Sequence, residues 1–208
     1  MVQMASRVSE LDRLRRALAP PTGHAEFVEL PMADFLMIDG RGSPESEEFR
    51  DAVHALFTMD TALRLLVQDG VSLPEQAMPL EVVWGAVGTD AETPHDAENW
   101  SWTAMVAQPA RITPALVNAL RDRLRERERL PLLDRVRLGS LREGRCAQIT
   151  HVGPFATEAD TLGRLRKDIV ARGYEAFGPQ HEIYLGNPDD PQPERMRTVL
   201  RIPVHAAA

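Results

Sequence analysis

One short segment near the carboxyl terminus holds the residues best suited to chemistry, a carboxylate and a phenol two positions apart. Gly178-Pro179 precedes this segment and Gly186-Asn187-Pro188 follows it, and both are turn-forming sequences. Residues 180–185 between them are predicted to form a strand, in which successive side chains point to opposite faces. Glu182 and Tyr184 therefore share one face of that strand.

A carboxylate beside a phenol has more than one interpretation. Because charged side chains usually sit in water, the pair could simply occupy a solvated face. If the face looks into a cavity instead, burial raises the pKa of the Glu182 carboxyl, which suits a general acid or base near neutral pH. An ionised carboxylate could also attract a cation alongside aromatic rings. On the other face, Ile183 and Leu185 suit the core, with His181 beside them.

Composition narrows the class of protein. The chain has 208 residues, of which 43% are apolar and 26% charged, with a formal net charge of −7. Such a chain can bury a substantial core without disulfides, and its acidity argues against direct nucleic-acid binding. It shows neither the ~20 consecutive apolar residues that a membrane span needs nor a secretory signal pattern. We therefore expect a cytoplasmic protein without a membrane partner.

The candidate metal and cofactor residues do not form a recognised motif. The single cysteine, Cys146, lies in an alternating apolar run and is predicted to be buried. His151 and His181 lack a third ligand at a familiar spacing, so we expect no metal. The segment 40–42, Gly-Arg-Gly, lacks the third glycine of a dinucleotide motif and the lysine of a P-loop. We predict that it forms a turn, and we expect no cofactor.

The order strand, glycine-containing turn, helix, strand, strand occurs twice along the chain. Module one covers about 26–108 and module two about 136–204, with a connecting helix at about 113–129. This order predicts a single α+β domain over 26–204, with pseudo-twofold symmetry, a mostly antiparallel sheet and a ligand cleft between its halves. Residues 1–25 are predicted to form a short helix or a mobile arm.

Helix ends carry their own signals. Ser43 is the predicted N-cap of the first long helix, with Pro44 at its first position. Thr113 is the predicted N-cap of the connecting helix. Thr157 and Asp160 resemble a capping box, and Gly173 is placed to end the helix that follows.

Three tryptophans fall on two adjacent predicted strands, 79–87 and 100–108. Trp84 lies on the first of these strands, and Trp100 and Trp102 share a face of the second. They are interpreted either as core residues or as a stacking platform for a ligand. On the first strand, Glu81 lies on the opposite face from Trp84. It is either a second pocket carboxylate or a surface charge, and we predict the surface position.

Four segments together resemble one family, the GyrI-like small-molecule-binding proteins. The segments are IDGRGSP at 38–44, PLEVVW at 79–84, THVGPF at 150–155 and HEIYL at 181–185. Their order and spacing are similar to those of the stand-alone relatives of effector domains in multidrug-sensing transcription regulators. The resemblance covers about 26–204.

The resemblance implies binding of a bulky, hydrophobic or cationic aromatic compound, for detoxification or antibiotic resistance. One branch of the family hydrolyses the strained cyclopropane ring of DNA-alkylating natural products. The pocket glutamate of the family corresponds to Glu182, which would activate a water, while Tyr184 would orient or protonate the substrate oxygen. The ligand-binding roles implied for aromatic residues fall on Trp84, Trp102, Phe57, Phe155 and Trp100.

Two departures from the family pattern leave catalysis open. Relatives tend to carry tyrosine where this chain has Phe155, and in the first long helix, where this chain has Phe57 and Ala62. The sequence therefore indicates a binding protein that is either an enzyme, a cyclopropanoid cyclopropyl hydrolase, or not an enzyme. The alternative function is a non-catalytic protein-interaction module, such as a topoisomerase-binding protein.

Overall fold

A computed structural model of this protein describes residues 11–67, 77–85, 100–127, 129–186 and 192–207. Within these ranges the chain forms helices and an antiparallel nine-stranded sheet, which confirms the predicted α+β class. No helix in the described part of the chain is both long and apolar enough to cross a membrane.

The strands are β1 (Glu26–Leu30), β2 (Ala33–Arg41), β3 (Leu80–Trp84), β4 (Ser101–Gln108), β5 (Arg137–Leu141), β6 (Gly144–Val152), β7 (Tyr174–Ala176), β8 (Gln180–Tyr184) and β9 (Arg197–Ala206). The strands predicted at 79–87, 100–108 and 180–185 correspond to β3, β4 and β8 of the structure, whereas β7 was not predicted.

Three longer helices cover the sheet. They are α1 (Glu47–Val67), α2 (Pro114–Arg127) and α3 (Glu158–Ala171). Residues 11–16 form a further short helical segment. The sequence between the two strands that carry the tryptophans, residues 88–99, is polar and predicted to be a loop; it lies outside the described residues.

The strand order is symmetric with respect to the two predicted modules. Along the sheet the strands run β1-β6-β9-β8-β3-β4-β2-β5, and β7 pairs with the end of β9. Counted inward from one edge the strands are β1, β6, β9 and β8, and from the other edge they are β5, β2, β4 and β3. Each strand of one module therefore has a counterpart of the other module at the equivalent place. The twofold axis itself stays a prediction. β3 and β8 are neighbours, so the two modules meet at the centre of the sheet.

Two core clusters lie on one face of the sheet and a third on the other. Leu56 of α1 packs with Val82 of β3 in the first cluster. Leu165 of α3 packs with Leu200 of β9 in the second. The opposite face is covered by the segment 11–16. Each fully buried leucine contributes about 1.5–3 kcal/mol to the stability of the fold. The clusters therefore hold α1, α3 and the amino-terminal segment against the sheet.

The first long helix begins later than predicted. The hydroxyl of Ser46, not of Ser43, accepts a hydrogen bond from the backbone N–H of Phe49 at 3.2 Å. The cap falls at Ser46 because the helix starts at Glu47, in the phase that buries Phe49 in the core. The prediction of Ser43 as N-cap was wrong.

The other helix-end predictions had mixed outcomes. Thr113 caps α2 as predicted, since its hydroxyl accepts from Leu116 N at 3.2 Å, and Gly173 follows α3 with a left-handed φ of 73°. The capping box at Thr157 was wrong. Its hydroxyl donates backwards to the carbonyl of Pro154 at 2.9 Å and accepts no hydrogen bond from the first turn of the helix.

Gly40 lies inside β2 rather than in the predicted turn, which begins at Gly42 with φ 100°. A Cβ on Gly40 would come within 2.2 Å of the Trp102 ring on the neighbouring strand. This position therefore needs glycine so that an indole can lie flat on the backbone.

Candidate functional site

Glu182 lies where the two modules meet. It faces Val82 of β3 on one side and Leu200 of β9 on the other. Val82 belongs to the core cluster beneath α1, and Leu200 to the cluster beneath α3. Glu182 is only 8% exposed, so its carboxylate does not occupy a solvated face.

Neighbours on its own strand bind both oxygens of Glu182. The Tyr184 hydroxyl donates to Oε2 at 2.7 Å, and Gln180 Nε2 donates to Oε1 at 2.6 Å. The three side chains share one face because they lie two residues apart along β8. The strand thus supplies a carboxylate with two aligned donors, as the spacing of Glu182 and Tyr184 predicts.

Opposing effects set the protonation of this pair. Burial raises the pKa of the Glu182 carboxyl, whereas hydrogen bonding by Tyr184 and Gln180 and the charge of His181 favour the ionised form. Burial also raises the pKa of the Tyr184 phenol well above its ordinary value, and the negative charge on Glu182 adds to that effect. Tyr184 therefore keeps its proton and donates it in a hydrogen bond.

Trp84 connects the pair to an aromatic cluster. Its ring stacks on Phe49, with centroids 5.6 Å apart, and meets the edge of Trp100 at 5.4 Å. Its indole N–H lies close enough to Glu182 and Tyr184 to favour the ionised forms of both. Among the described residues, however, Nε1 has no partner at hydrogen-bond geometry.

The other aromatic residues expected at the site are distributed unevenly. Phe155 is 44% exposed and meets the Tyr184 ring edge-on, with centroids 5.7 Å apart. Trp102 is 1% exposed and packs on Phe49 within the core. Phe57 packs against two core clusters. The structure thus brings Trp84 and Phe155 next to the pair, places Trp100 against Trp84, and gives Trp102 and Phe57 core contacts.

A second carboxyl, which the sequence analysis missed, lies beside Glu182. Glu158, the first residue of α3, is 7% exposed, and its Oε1 has no hydrogen-bond partner within the described part of the chain. Burial and the negative charge of Glu182 raise its pKa to about 8, against a hydrogen bond with Thr198. A signal existed, because Glu158 precedes Leu165 by seven residues and so lies on the buried stripe of α3.

Comparison with known proteins assigns the family. A model described as the GyrI-like small molecule binding domain matches residues 25–205. This chain belongs to the GyrI-like family. No curated protein sequence matches it significantly.

Solved structures agree with this assignment. An uncharacterised conserved protein from Listeria innocua has 29% sequence identity and a TM-score of 0.83, over 94% of this chain and 98% of its own. Two structures described as hydrolases from the same organism, one of them encoded by lin2189, have 27% and 29% identity with TM-scores of 0.79 and 0.80. Each is aligned over 94% of this chain and 98% of its own length.

The opposite face of β8 carries a buried charge network in this GyrI-like domain. His181 is 1% exposed; its Nδ1 donates to Glu143 Oε1 at 2.8 Å, and its Nε2 lies 3.1 Å from Glu81 Oε2. Arg201 donates from Nη1 to the other oxygen of Glu143 at 2.9 Å. Glu81 is 2% exposed, so its predicted surface position was wrong. It is buried because His181, on the paired strand, supplies its counter-charge.

Each charged group in this network favours the ionised form of its partners. Burial disfavours the imidazolium of His181, but Glu143 and Glu81 outweigh that effect and raise its pKa to about 9. Burial likewise disfavours the Glu143 carboxylate, but His181 and Arg201 lower its pKa to about 2. Near neutral pH His181 and Glu143 are therefore both ionised, on the opposite face of the strand that carries Glu182.

The histidines and the cysteine considered for metal or thiol chemistry do not form a common site among the described residues. His151 is paired with Thr198 and His181 with Arg201, so the two imidazoles point to opposite faces of the sheet. In the described ranges, no group of three His, Cys, Asp or Glu side chains could hold a metal ion. Cys146 is fully buried as predicted, and burial raises the pKa of its thiol.

Proposed function

We propose that this protein binds a bulky, hydrophobic or cationic aromatic small molecule beside Glu182, and that it opens the strained cyclopropane ring of DNA-alkylating compounds by hydrolysis. Its role is detoxification or antibiotic resistance in the cytoplasm. The observation that carries the proposal is a buried carboxylate, bound by Tyr184 and Gln180, next to an aromatic cluster.

The aromatic cluster supports the binding half of the proposal. Phe155 contacts the Tyr184 ring edge-on, and Trp84, with Trp100 against it, lies beside Glu182. Each cation–π contact with such a ring is worth about 0.5–2 kcal/mol, and a nearby carboxylate adds to the attraction. A flat cationic or aromatic compound therefore matches this surface better than a small polar metabolite does.

The hydrolytic half rests on the carboxylate and on the relatives. Proteins described as hydrolases share 27% and 29% of their sequence with this chain over nearly its whole length. Glu182 acts as the base that takes a proton from water, and Tyr184 fixes the orientation of that base. Strain in the three-membered ring supplies much of the driving force, so few catalytic groups are needed.

The decisive experiment follows a panel of aromatic cyclopropanes by mass spectrometry. We expect the wild-type protein to add water to at least one of them, and Glu182→Gln to lower kcat by about 10²–10⁴-fold, the range for loss of a general base. Glu175→Gln is the matched control, because that exposed glutamate lies on β7 and should leave kcat unchanged.

The outcomes separate three functions. Stoichiometric protection of the compound without turnover would leave a binding protein and remove the enzyme. A thermal-shift screen with cationic aromatic dyes tests binding directly, since a ligand selective for the native state raises Tm. If no compound shifts Tm and none is hydrolysed, the non-catalytic protein-interaction module replaces the small-molecule function.

A further inference from the structure

The turn that carries Phe155 contacts a buried imidazole. Residues 153–155 connect the end of β6 to a short 3₁₀ turn and the start of α3. His151, the second-last residue of β6, is 4% exposed. Its Nε2 lies 3.2 Å from the carbonyl oxygen of Pro154, and its Nδ1 lies 2.9 Å from the hydroxyl of Thr161 in α3. One ring therefore connects the turn to the helix that follows it.

The hydrogen bonds around the His151 ring fix its tautomer. Thr157 Oγ1 lies 3.3 Å from Nε2, but it donates its proton to Pro154 O at 2.9 Å. Both neighbours of Nε2 can therefore only accept, so Nε2 carries the hydrogen. On the other side, Thr161 accepts from Arg164 Nη2 at 3.0 Å and keeps its own proton for Nδ1. Both nitrogens of the neutral ring thus have a defined partner.

The His151 ring also packs closely against the turn. A Cβ on Gly153 would come 3.3 Å from Thr157 Oγ1 and 3.6 Å from His151 Nε2. The backbone N–H of Gly153 donates to Met196 O at 3.0 Å. Because such groups are already in contact, a different side chain at 151 would change the path of the turn.

Phe155 depends on this turn for its position. Its side chain is 44% exposed, and its ring meets that of Tyr184 edge-on with centroids 5.7 Å apart. A half-exposed side chain has few neighbours to hold it, so the backbone of the turn determines where the ring lies. At that place the ring offers a flat ligand a surface beside the Glu182–Tyr184 pair.

We propose that His151 is a positioning residue for the ligand site. Its hydrogen bond to Pro154 O holds the turn so that the Phe155 ring lies against Tyr184, and this position determines the affinity for flat aromatic cations. The inference rests on the proposed binding of an aromatic small molecule. It names the part of the ligand that is recognised, a planar ring system rather than positive charge alone.

The first test compares a planar cation, ethidium, with an aliphatic one, tetrabutylammonium, by titration calorimetry. We expect His151→Leu to weaken ethidium binding by about 3- to 10-fold, the size of one aromatic contact. Tetrabutylammonium, which has no ring, should bind the variant and the wild type equally, even if weakly. His151→Gln should keep most of the ethidium affinity, because its amide nitrogen can still donate to Pro154 O.

A double-mutant cycle shows whether His151 acts through Phe155. Phe155→Ala alone should weaken ethidium binding by about 3- to 10-fold, and adding His151→Leu should change the affinity no further. Additive losses would mean that His151 affects the site by another route, which overturns the proposal.

His205→Leu is the matched control for these measurements. His205 is also a histidine beside a phenylalanine, with its ring centroid 6.0 Å from that of Phe177. It is exposed and lies at the end of β9 opposite to Thr198, the residue that pairs with His151. Ethidium affinity should therefore be unchanged in this variant.

The second test needs no ligand. The chain has two tyrosines, and each has a phenylalanine beside it, Phe155 at 5.7 Å from Tyr184 and Phe27 at 5.1 Å from Tyr174 between ring centroids. In nuclear Overhauser spectra, His151→Leu should weaken the first contact and keep the second, which is an internal control. An unchanged contact between Phe155 and Tyr184 in the folded variant overturns the inference.

The outcomes distinguish this inference from the proposed function. If neither cation binds the wild type, the binding function loses its support, and the ring contact alone decides whether His151 positions Phe155. If the ring contact weakens but ethidium affinity does not, the position of Phe155 does not determine affinity and the proposal is wrong.

A second variant covers the case in which His151→Leu does not fold. Thr157→Val removes the other side-chain hydrogen bond to Pro154 O, at an exposed position. It should weaken both the contact between Phe155 and Tyr184 and the binding of ethidium. If it changes neither, the turn does not depend on these hydrogen bonds and the inference fails.

Discussion

At the scale of single residues, the site depends on two glutamates in different surroundings. Glu182 is bound by the side chains two residues before and after it on one strand. Glu158 reaches the same place from the start of a helix, and one of its oxygens has no partner among the described residues. Burial raises the pKa of both carboxyls, and their like charges disfavour ionising both at once.

The raised pKa of Glu158 predicts a pH dependence of stability. Because the folded protein holds a proton on Glu158 up to about pH 8, whereas the unfolded chain releases it near pH 4.5, the folded state binds more protons between these values. Stability therefore falls as pH rises from about 4.5 to 8. We expect Glu158→Gln to raise Tm relative to wild type at pH 8.5, and to raise it less at pH 5.

Differential scanning calorimetry measures this difference. Asp160→Asn is the control, because Asp160 is an exposed carboxylate in the same helical turn and should give equal effects at both pH values. An equal Tm change for Glu158→Gln at pH 5 and pH 8.5 would contradict the assigned protonation of Glu158.

At the scale of elements, β8 carries two different sets of polar side chains on its two faces, because successive residues of a strand point to opposite sides. One face carries Glu182 and Tyr184 towards the aromatic cluster, and the other carries His181 into the charge network with Glu143. Shifting the strand by one residue would place an imidazolium among the rings and a carboxylate in the network. The network thereby fixes the register that positions the site.

Removing one member of the network should expose this dependence. Glu143→Gln removes the carboxylate that His181 and Arg201 share, so that His181 keeps only Glu81 and the buried Arg201 loses its ion pair. Breaking such a buried pair costs about 3–5 kcal/mol. The exposed pair of Glu48 with Arg135 is the control, since Glu48→Gln should cost about 0–1 kcal/mol. Urea unfolding of both variants measures the difference, and equal losses would contradict the role of the network.

The same network gives stability two pH limits. The depressed pKa of Glu143 contributes stability above about pH 4.5 that is lost as pH falls towards 2. The raised pKa of His181 contributes stability below about pH 6.5 that is lost as pH rises through 9. In Glu143→Gln, the acid-induced loss of stability should be smaller than in wild type.

At the scale of the whole molecule, the amino-terminal segment is bound into the fold. Leu11 and Leu14 are buried against the face of the sheet opposite α1 and α3. Gln148 Nε2 donates to Ala17 O at 2.9 Å, and the Thr150 hydroxyl donates to Pro20 O at 2.6 Å. Gln148 also accepts from Arg201 at 3.0 Å, so the segment contacts the charge network.

A leucine pair tests whether this segment behaves as part of the core. Leu14 is 4% exposed and Leu65 is 64% exposed. We expect Leu14→Ala to lower the free energy of unfolding by about 2–5 kcal/mol, and Leu65→Ala to change it by less than about 0.5 kcal/mol. Chemical denaturation measures both. A negligible effect of Leu14→Ala would mean that the segment is a mobile arm in solution.

Local pattern determined a large part of this protein before any contact was known. Strand alternation placed Glu182 beside Tyr184, and helical spacing located α1, α2 and α3 to within a few residues. Both signals depend only on neighbours along the chain, as do the glycine at 173 and the cap at Thr113. The family resemblance drew on the same local segments, and the match over residues 25–205 confirmed it.

Only the tertiary structure decided which charges are buried and what they meet. The sequence put Glu81 at the surface and gave Glu158 no role, because the partner of each lies on an element distant in sequence. His181 reaches Glu81 only through the pairing of β3 with β8, and Glu158 approaches Glu182 only when α3 packs on the sheet. Desolvation and long-range charge pairing, which set the acidities at this site, exist only after the chain has folded.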